Sequence, residues 1–112
     1  FAWGARGWVC AGGNCLPNEH IALYRAVAVN NDVALGRRVM SAMMPFMRIL
    51  EQGGKLIQNV KHACTVKGLP SGTVRLPLQP LFEEEVATLE TVLAKLEVEM
   101  AGIDTSFVSP KL

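Results

Sequence analysis

Gly4-Ala5-Arg6-Gly7-Trp8-Val9-Cys10-Ala11-Gly12-Gly13-Asn14-Cys15-Leu16-Pro17 is the stretch on which the fold turns. Its residues 7–11 are a short apolar run bounded by glycines, and the run does not alternate. That pattern predicts a strand covered on both faces. Gly12, Gly13 and Asn14 then read as a loop, and Pro17 suits the first turn of a helix, where its missing N–H leaves nothing unsatisfied. Glycines just past a strand end let a ligand approach the backbone closely, and Asn14 can hydrogen-bond across that end to hold the loop. A strand covered on both faces needs neighbours, yet no second convincing strand exists in the sequence. Unpaired buried backbone groups cost about 1–3 kcal/mol each. Either other chains supply the sheet or the stretch is the last βα unit of a longer α/β protein, and the second is favoured. The opening at Phe1, without an initiator methionine, suggests a segment of something larger.

Working outward, Ile21, Tyr24 and Ala28, with Leu23 and Val27 beside them, predict a helical apolar stripe ending near Val29. Asn30 or Asn31 can cap the next helix, with Asp32 at its positive end. That helix should run to about Glu51, burying Val39, Met43, Phe46, Met47 and Leu50, kinking at Pro45 and ending at Gly53-Gly54. Met40, Met43, Met44 and Met47 read as core, with a subunit interface as the alternative. A third helix, Lys55 to Lys67, should carry Leu56, Ile57, Val60 and Cys64 inward and stop at Gly68. Residues 69–80 form a proline-kept extended connection. The fourth helix starts near Phe82 or Glu83, with Val86, Leu89, Leu93, Leu96 and Met100 as its stripe. Asp104 to Leu112 reads as a tail.

With 112 residues the chain holds one domain's worth at most. Half of its residues are hydrophobic and only 19% are charged, which excludes intrinsic disorder. A net charge of +1 argues against a nucleic-acid partner. The uncharged runs are too short and glycine-rich to span a membrane, and residues 1–13 lack a signal peptide's apolar core. Three cysteines (Cys10, Cys15, Cys64) lack disulfide-framework spacing and favour a reducing, cytoplasmic setting. The spacing of Cys10, Cys15 and His20, with His62 or Cys64, matches no standard zinc site, so no metal is expected. Charge is uneven: residues 1–80 carry nine basic and three acidic residues, residues 81–112 two and seven. A solvated acidic helix face is favoured over an anion-facing surface on the first part. No serine–histidine–acid set, phosphate-binding loop or dinucleotide fingerprint is present.

Gly4-Ala5-x-Gly7-Trp8-Val9, Asn14 and Pro17 resemble the eighth strand of the dihydrodipicolinate synthase / N-acetylneuraminate lyase family. Asn31-Asp32-x-x-Leu35-Gly36, Lys55 to Lys61, Gly68-Leu69 and Val74-Arg75-Leu76-Pro77-Leu78-x-Pro80 resemble its C-terminal helical signature, so the likeness covers roughly residues 4–100. The resemblance implies an α/β fold, the C-terminal part of a (β/α)8 TIM barrel: strand 8, helix 8 and three extra helices, the chain itself being mostly α. Residues 1–30 would be the last βα unit, 31–101 a helical subdomain and 102–112 a tail. It implies an enzyme that condenses or cleaves 2-oxo acids through an imine on a strand 6 lysine, with a strand 5 tyrosine relay. Neither lies in this chain, which by itself should be inactive. Lys55 and Lys61 should be surface or ion-paired groups.

The substrate-binding wall implied is Val9, Cys10, Ala11, Gly12 and Asn14, with the Val9 carbonyl facing the lysine and Cys10 and Ala11 lining the channel. Where sugar-cleaving members carry a serine, Ala11 offers only a methyl, so a polyhydroxylated substrate loses a partner. Glu51-Gln52-Gly53-Gly54-Lys55 with Asn14-Cys15-Leu16-Pro17 resembles the hydroxyproline-degrading branch, 1-pyrroline-4-hydroxy-2-carboxylate deaminase. The alternatives are 4-hydroxy-tetrahydrodipicolinate synthase or another 2-oxo acid aldolase and, from another class, a free-standing helical module that binds a protein. No cofactor is implied. The partners implied are a small 2-oxo or imino acid, the N-terminal barrel portion, and other subunits of a dimer or tetramer.

Overall fold

Local signals along the chain resolve into four helices in a computed structural model, which describes residues 1–106. They are α1 (Pro17–Tyr24), α2 (Val33–Gln52), α3 (Leu56–Val66) and α4 (Glu83–Ala101), and a 3-10 turn, Ala11–Asn14, precedes α1. The tail expected from residue 102 is described only to Ser106; residues 107–112 lie outside the described residues. Among the described residues no helix is long and apolar enough to cross a membrane.

α2 is the hub, packing against α1, α3 and α4. Val39, Met43, Phe46 and Leu50 recur at helical spacing and are all buried, as are Leu89, Leu93 and Leu96 of α4. Those two stripes match the expectation, with Met47, Val86 and Met100 half-buried at their margins. Of the remaining methionines, Met40 is half-buried and Met44 is exposed. α2 continues through Pro45. Pro45 has no N–H to offer the Ser41 carbonyl, and both residues lie on the exposed side of the helix.

The cap of α2 is Asp32, whose Oδ1 accepts from the Leu35 N–H at 2.9 Å. This corrects the expectation of Asn30 or Asn31. Asn31 instead takes the left-handed turn at φ 55°, a conformation asparagine tolerates. Before it, α1 runs on as a π-helical turn, Arg25–Val29. That turn touches α2 where Gly36 sits. A Cβ at Gly36 would fall 2.2 Å from Val27 Cγ2, so only glycine permits the approach.

Two helices turn a different face inward than expected. On α1 and the π-helical turn that continues it, the buried side chains are His20, Ala22 and Ala26, while Ile21, Tyr24 and Ala28 are exposed. α1 is apolar nearly all round, so its pattern does not choose a face and the packing partner does. On α3, Cys64 and Ala63 are buried and Val60 half-buried, but Leu56 and Ile57 point outward and Gln58 and Asn59 are buried instead. Both amides are satisfied: Gln58 Nε2 donates to the Gln79 carbonyl and Asn59 Nδ2 to the Lys55 carbonyl, each at 2.9 Å. The first of these ties the extended connection to α3.

The acidic face of α4 is solvated as expected, with Glu83, Glu84, Glu90, Glu97 and Glu99 exposed, and part of it is also paired. Three of its glutamates meet basic side chains across the α3–α4 seam. Lys55 pairs with Glu85 at 2.6 Å, His62 with Glu90 at 2.8 Å, and Lys67 with Glu97. Lys55 Nζ also lies 3.9 Å from the centre of the Phe82 ring. Lys55, and then the Phe82 N–H that donates to Glu85 at 2.7 Å, hold the Glu85 carboxyl below its usual 4.5. A depressed carboxyl stabilises the fold above its ordinary pKa, and that contribution is lost as pH falls through the folded value. Acid unfolding of the wild type between about pH 5 and pH 3 should therefore be steeper than that of Glu85→Gln. Urea midpoints across that range check this, and parallel curves would contradict it.

The strand expected at residues 7–11 is absent: the described residues contain no strand. Gly7, Trp8 and Val9 are exposed, Cys10 keeps an extended backbone (φ −143°, ψ 120°), and Ala11 already enters the 3-10 turn. The physical reason is that a strand is a pairing. An extended segment with no neighbouring strand in the chain has no ladder to join.

Candidate functional site

The Ala11–Asn14 turn is built from its own backbone. The Gly13 N–H donates to the Cys10 carbonyl at 3.3 Å, and the Gly12 carbonyl accepts from the N–H groups of Cys15 (3.2 Å) and Leu16 (2.9 Å). Asn14 Nδ2 donates to the Ala11 carbonyl at 2.9 Å, which closes the turn on itself. Asn14 thus holds the loop within the turn, in place of a bond across a strand end. Leu16, fully buried, pins the turn to the core.

His20 reaches back under this turn. Its Nδ1 donates to the Leu16 carbonyl at 2.7 Å; a carbonyl can only accept, so the proton sits on Nδ1. Nε2 is then an acceptor when the ring is neutral, and the Cys10 thiol donates to it at 3.1 Å. Gly12 makes room for the ring, since a Cβ there would stand 3.0 Å from His20 Cε1. Trp8 lies over the imidazole with ring centres 6.1 Å apart and 34° between planes.

The two other thiols flank the same turn. Cys15 donates to the Gly12 carbonyl at 3.4 Å and Cys64 to the Asn14 carbonyl at 3.6 Å. Burial, and next the neighbouring Cys64, push the Cys15 thiol up from 9.0 to about 12. Among the described residues no group of three or more histidines, cysteines and acids could hold a metal ion.

Val9, Cys10 and Ala11 line one cavity of about 300 Å³ with His20, Met43 and Glu51. Three of the five expected wall residues are therefore together. Gly12 is buried and Asn14 is exposed at the end of the turn, and neither lines the cavity. Lys55 and Lys61 lie elsewhere: Lys55 in its pair with Glu85, Lys61 donating to the Ser71 carbonyl. Sequence reasoning weighed His20 only as a metal ligand. Its place beside Cys10 depends on the turn folding back, and the ten-residue separation carries no signal of that.

A family model described as the dihydrodipicolinate synthetase family matches residues 1–96. A 4-hydroxy-tetrahydrodipicolinate synthase of Methanosarcina mazei is 33% identical over 88% of this chain and 33% of its own length. A probable 5-dehydro-4-deoxyglucarate dehydratase of Azotobacter vinelandii is 31% identical over 74% of this chain and 28% of its own length. A 4-hydroxy-tetrahydrodipicolinate synthase of Thermosipho melanesiensis is 26% identical over 88% of this chain and 33% of its own. The chain thus spans about a third of the length of the curated relatives it matches. No solved structure matches it.

Proposed function

The chain belongs to the dihydrodipicolinate synthetase family, and from that premise we propose that it forms the C-terminal third of a Schiff-base lyase. Residues 1–30 are the last βα unit of a (β/α)8 barrel, 31–101 the helical subdomain behind it and 102–112 a tail. Residues 7–11 pair on both sides with barrel strands supplied by further polypeptide. Two observations support that placement: Val9 is fully exposed beside the extended Cys10, and Ile21 and Tyr24 of α1 and Val29 of the π-helical turn leave apolar side chains uncovered. The whole protein is a dimer or tetramer of such subunits.

The reaction begins with attack of a lysine amine on C2 of a pyruvate-like 2-oxo acid or a cyclic imino acid. The lysine lies outside these residues, and the carbonyl of Val9 orients its amine. Cys10 and Ala11 form one wall for the substrate, and Gly12 and Asn14 shape the turn that carries the wall. The observation that carries the reading is the family match over residues 1–96, and the cavity lined by Val9, Cys10 and Ala11 supports the proposed wall. A thiol, a methyl and no hydroxyl suit a compact substrate better than a sugar acid.

Within the family we assign the substrate to the 4-hydroxy-1-pyrroline-2-carboxylate class. Glu51, which begins the Glu51-Gln52-Gly53-Gly54-Lys55 stretch, lines the same cavity as Cys10 and Ala11. The chemistry is then imine formation at C2, loss of the 4-hydroxyl as water and hydrolytic release of ammonia, leaving 2,5-dioxopentanoate. The curated relatives favour a second reading, condensation or dehydration of an acyclic 2-oxo acid, because their names are those of a synthase and a dehydratase.

Borohydride reduction of the intact protein with each substrate class tests both. The expected result is a covalent adduct on a lysine outside residues 1–112, with the pyrroline substrate turned over fastest. Turnover of pyruvate-derived substrates alone would move the assignment to the second reading. An adduct on Lys55 or Lys61 would overturn the placement of the nucleophile.

A further inference from the structure

Of the three thiols around the turn, two are buried and donate to backbone carbonyls, which cannot take a proton. Cys10 is half-buried, opens on the cavity and donates to a base. The base is oriented in turn, because the Leu16 carbonyl holds Nδ1–H at 2.7 Å and aims the Nε2 lone pair at Cys10 Sγ, 3.1 Å away. Nucleophile, base and orienting acceptor in sequence are the arrangement that activates a thiol. From this geometry we infer that Cys10 and His20 form a reactive thiol–imidazole pair, a modification site whose ligand class is a soft carbon electrophile such as an α,β-unsaturated carbonyl compound. The step needs no imine lysine and goes beyond the lyase reading.

The Cys10 proton passes to His20 Nε2. The thiolate attacks the β-carbon of the unsaturated carbonyl and forms the C–S bond. The alkene electron pair moves onto the α-carbon as an enolate, and the imidazolium returns the proton there. The charged group that lines the cavity with the pair is Glu51 of α2. From the turn, the neighbouring titratable group is Cys15, a neutral thiol throughout this range because burial pushes it up to about 12.

N-ethylmaleimide is the probe, with peptide mapping of the intact protein at pH 6 and pH 8. Exposure alone would favour Cys10 over Cys15 and Cys64, so the decisive readout is dependence on His20. At pH 6, Cys10 should be labelled about tenfold faster in the wild type than in His20→Gln. Between pH 6 and pH 8 an unassisted thiol accelerates about 100-fold; His20→Gln should do so, and the wild type should accelerate far less. Cys10→Ser should lose the fast label altogether. Cys15 reports on folding, since it stays unlabelled while the turn is packed. Should Cys15 be labelled in His20→Gln, the variant has opened and the wild-type pH ratio decides alone. Equal rates in wild type and a folded His20→Gln, or a 100-fold wild-type acceleration, would overturn the inference.

Discussion

Phe46→Ala should destabilise the protein by about 3–5 kcal/mol, the range for emptying a buried aromatic site. Phe46 is the largest fully buried side chain, at the middle of α2, and it belongs to the same core cluster as Leu50, Leu89 and Leu93. Removing the ring loses its transfer free energy and leaves a void that a hub helix held against three others is poorly placed to close. A domain's whole stability is about 5–15 kcal/mol, so the change takes a large share of it. Urea denaturation checks it, with Ile57→Ala as the comparison. Ile57 is half exposed on α3, so that change should stay under about 1 kcal/mol. Similar losses from the two would mean that α3 turns its Ile57 face inward after all.

Leu16→Ala should be the second large effect, about 2–5 kcal/mol. The side chain is fully buried, and the same residue's backbone holds both ends of the site. Its N–H donates to the Gly12 carbonyl and its carbonyl accepts from His20. Alanine keeps those backbone groups but removes the packing that fixes where they stand. The turn should therefore loosen, and Cys15, buried in the folded protein, should become reactive toward thiol reagents in Leu16→Ala. Stability measurement and thiol labelling on one sample test both halves. A loss under about 1 kcal/mol with Cys15 still protected would show that Leu16 is not the anchor.

The helices were legible because their signals are local. The spacing of Val39, Met43, Phe46 and Leu50 and of Leu89, Leu93 and Leu96 marks one face each, and polar residues fill the others. Gly53-Gly54 and Gly68 mark ends that fall where glycine is needed, Gly54 at φ 69° and Gly68 at φ 78°. α1 was harder, since apolar residues surround it and periodicity then names no inner face. On α3 the buried Gln58 and Asn59 ran against hydrophobicity, because each is satisfied by a carbonyl that pattern reading does not see. The solvated acidic face of α4 is legible in the sequence, but the pairing of three of its glutamates is not, because Lys55, His62 and Lys67 lie about 30 residues away.

From the sequence alone came the four helices, their approximate ends, the loop at Gly12, Gly13 and Asn14 and the family to which the chain belongs. Tertiary structure decided which side of α1 and α3 faces the core, how α4 discharges its glutamates against α3, and that His20 stands beside Cys10. The division follows from the range of the interactions. Propensity, capping and periodicity act within a few residues and are written in order along the chain. A helix surrounded by apolar side chains, a thiol and an imidazole ten residues apart, or a glutamate whose basic partner lies about 30 residues away takes its role only from what the folded backbone sets next to it.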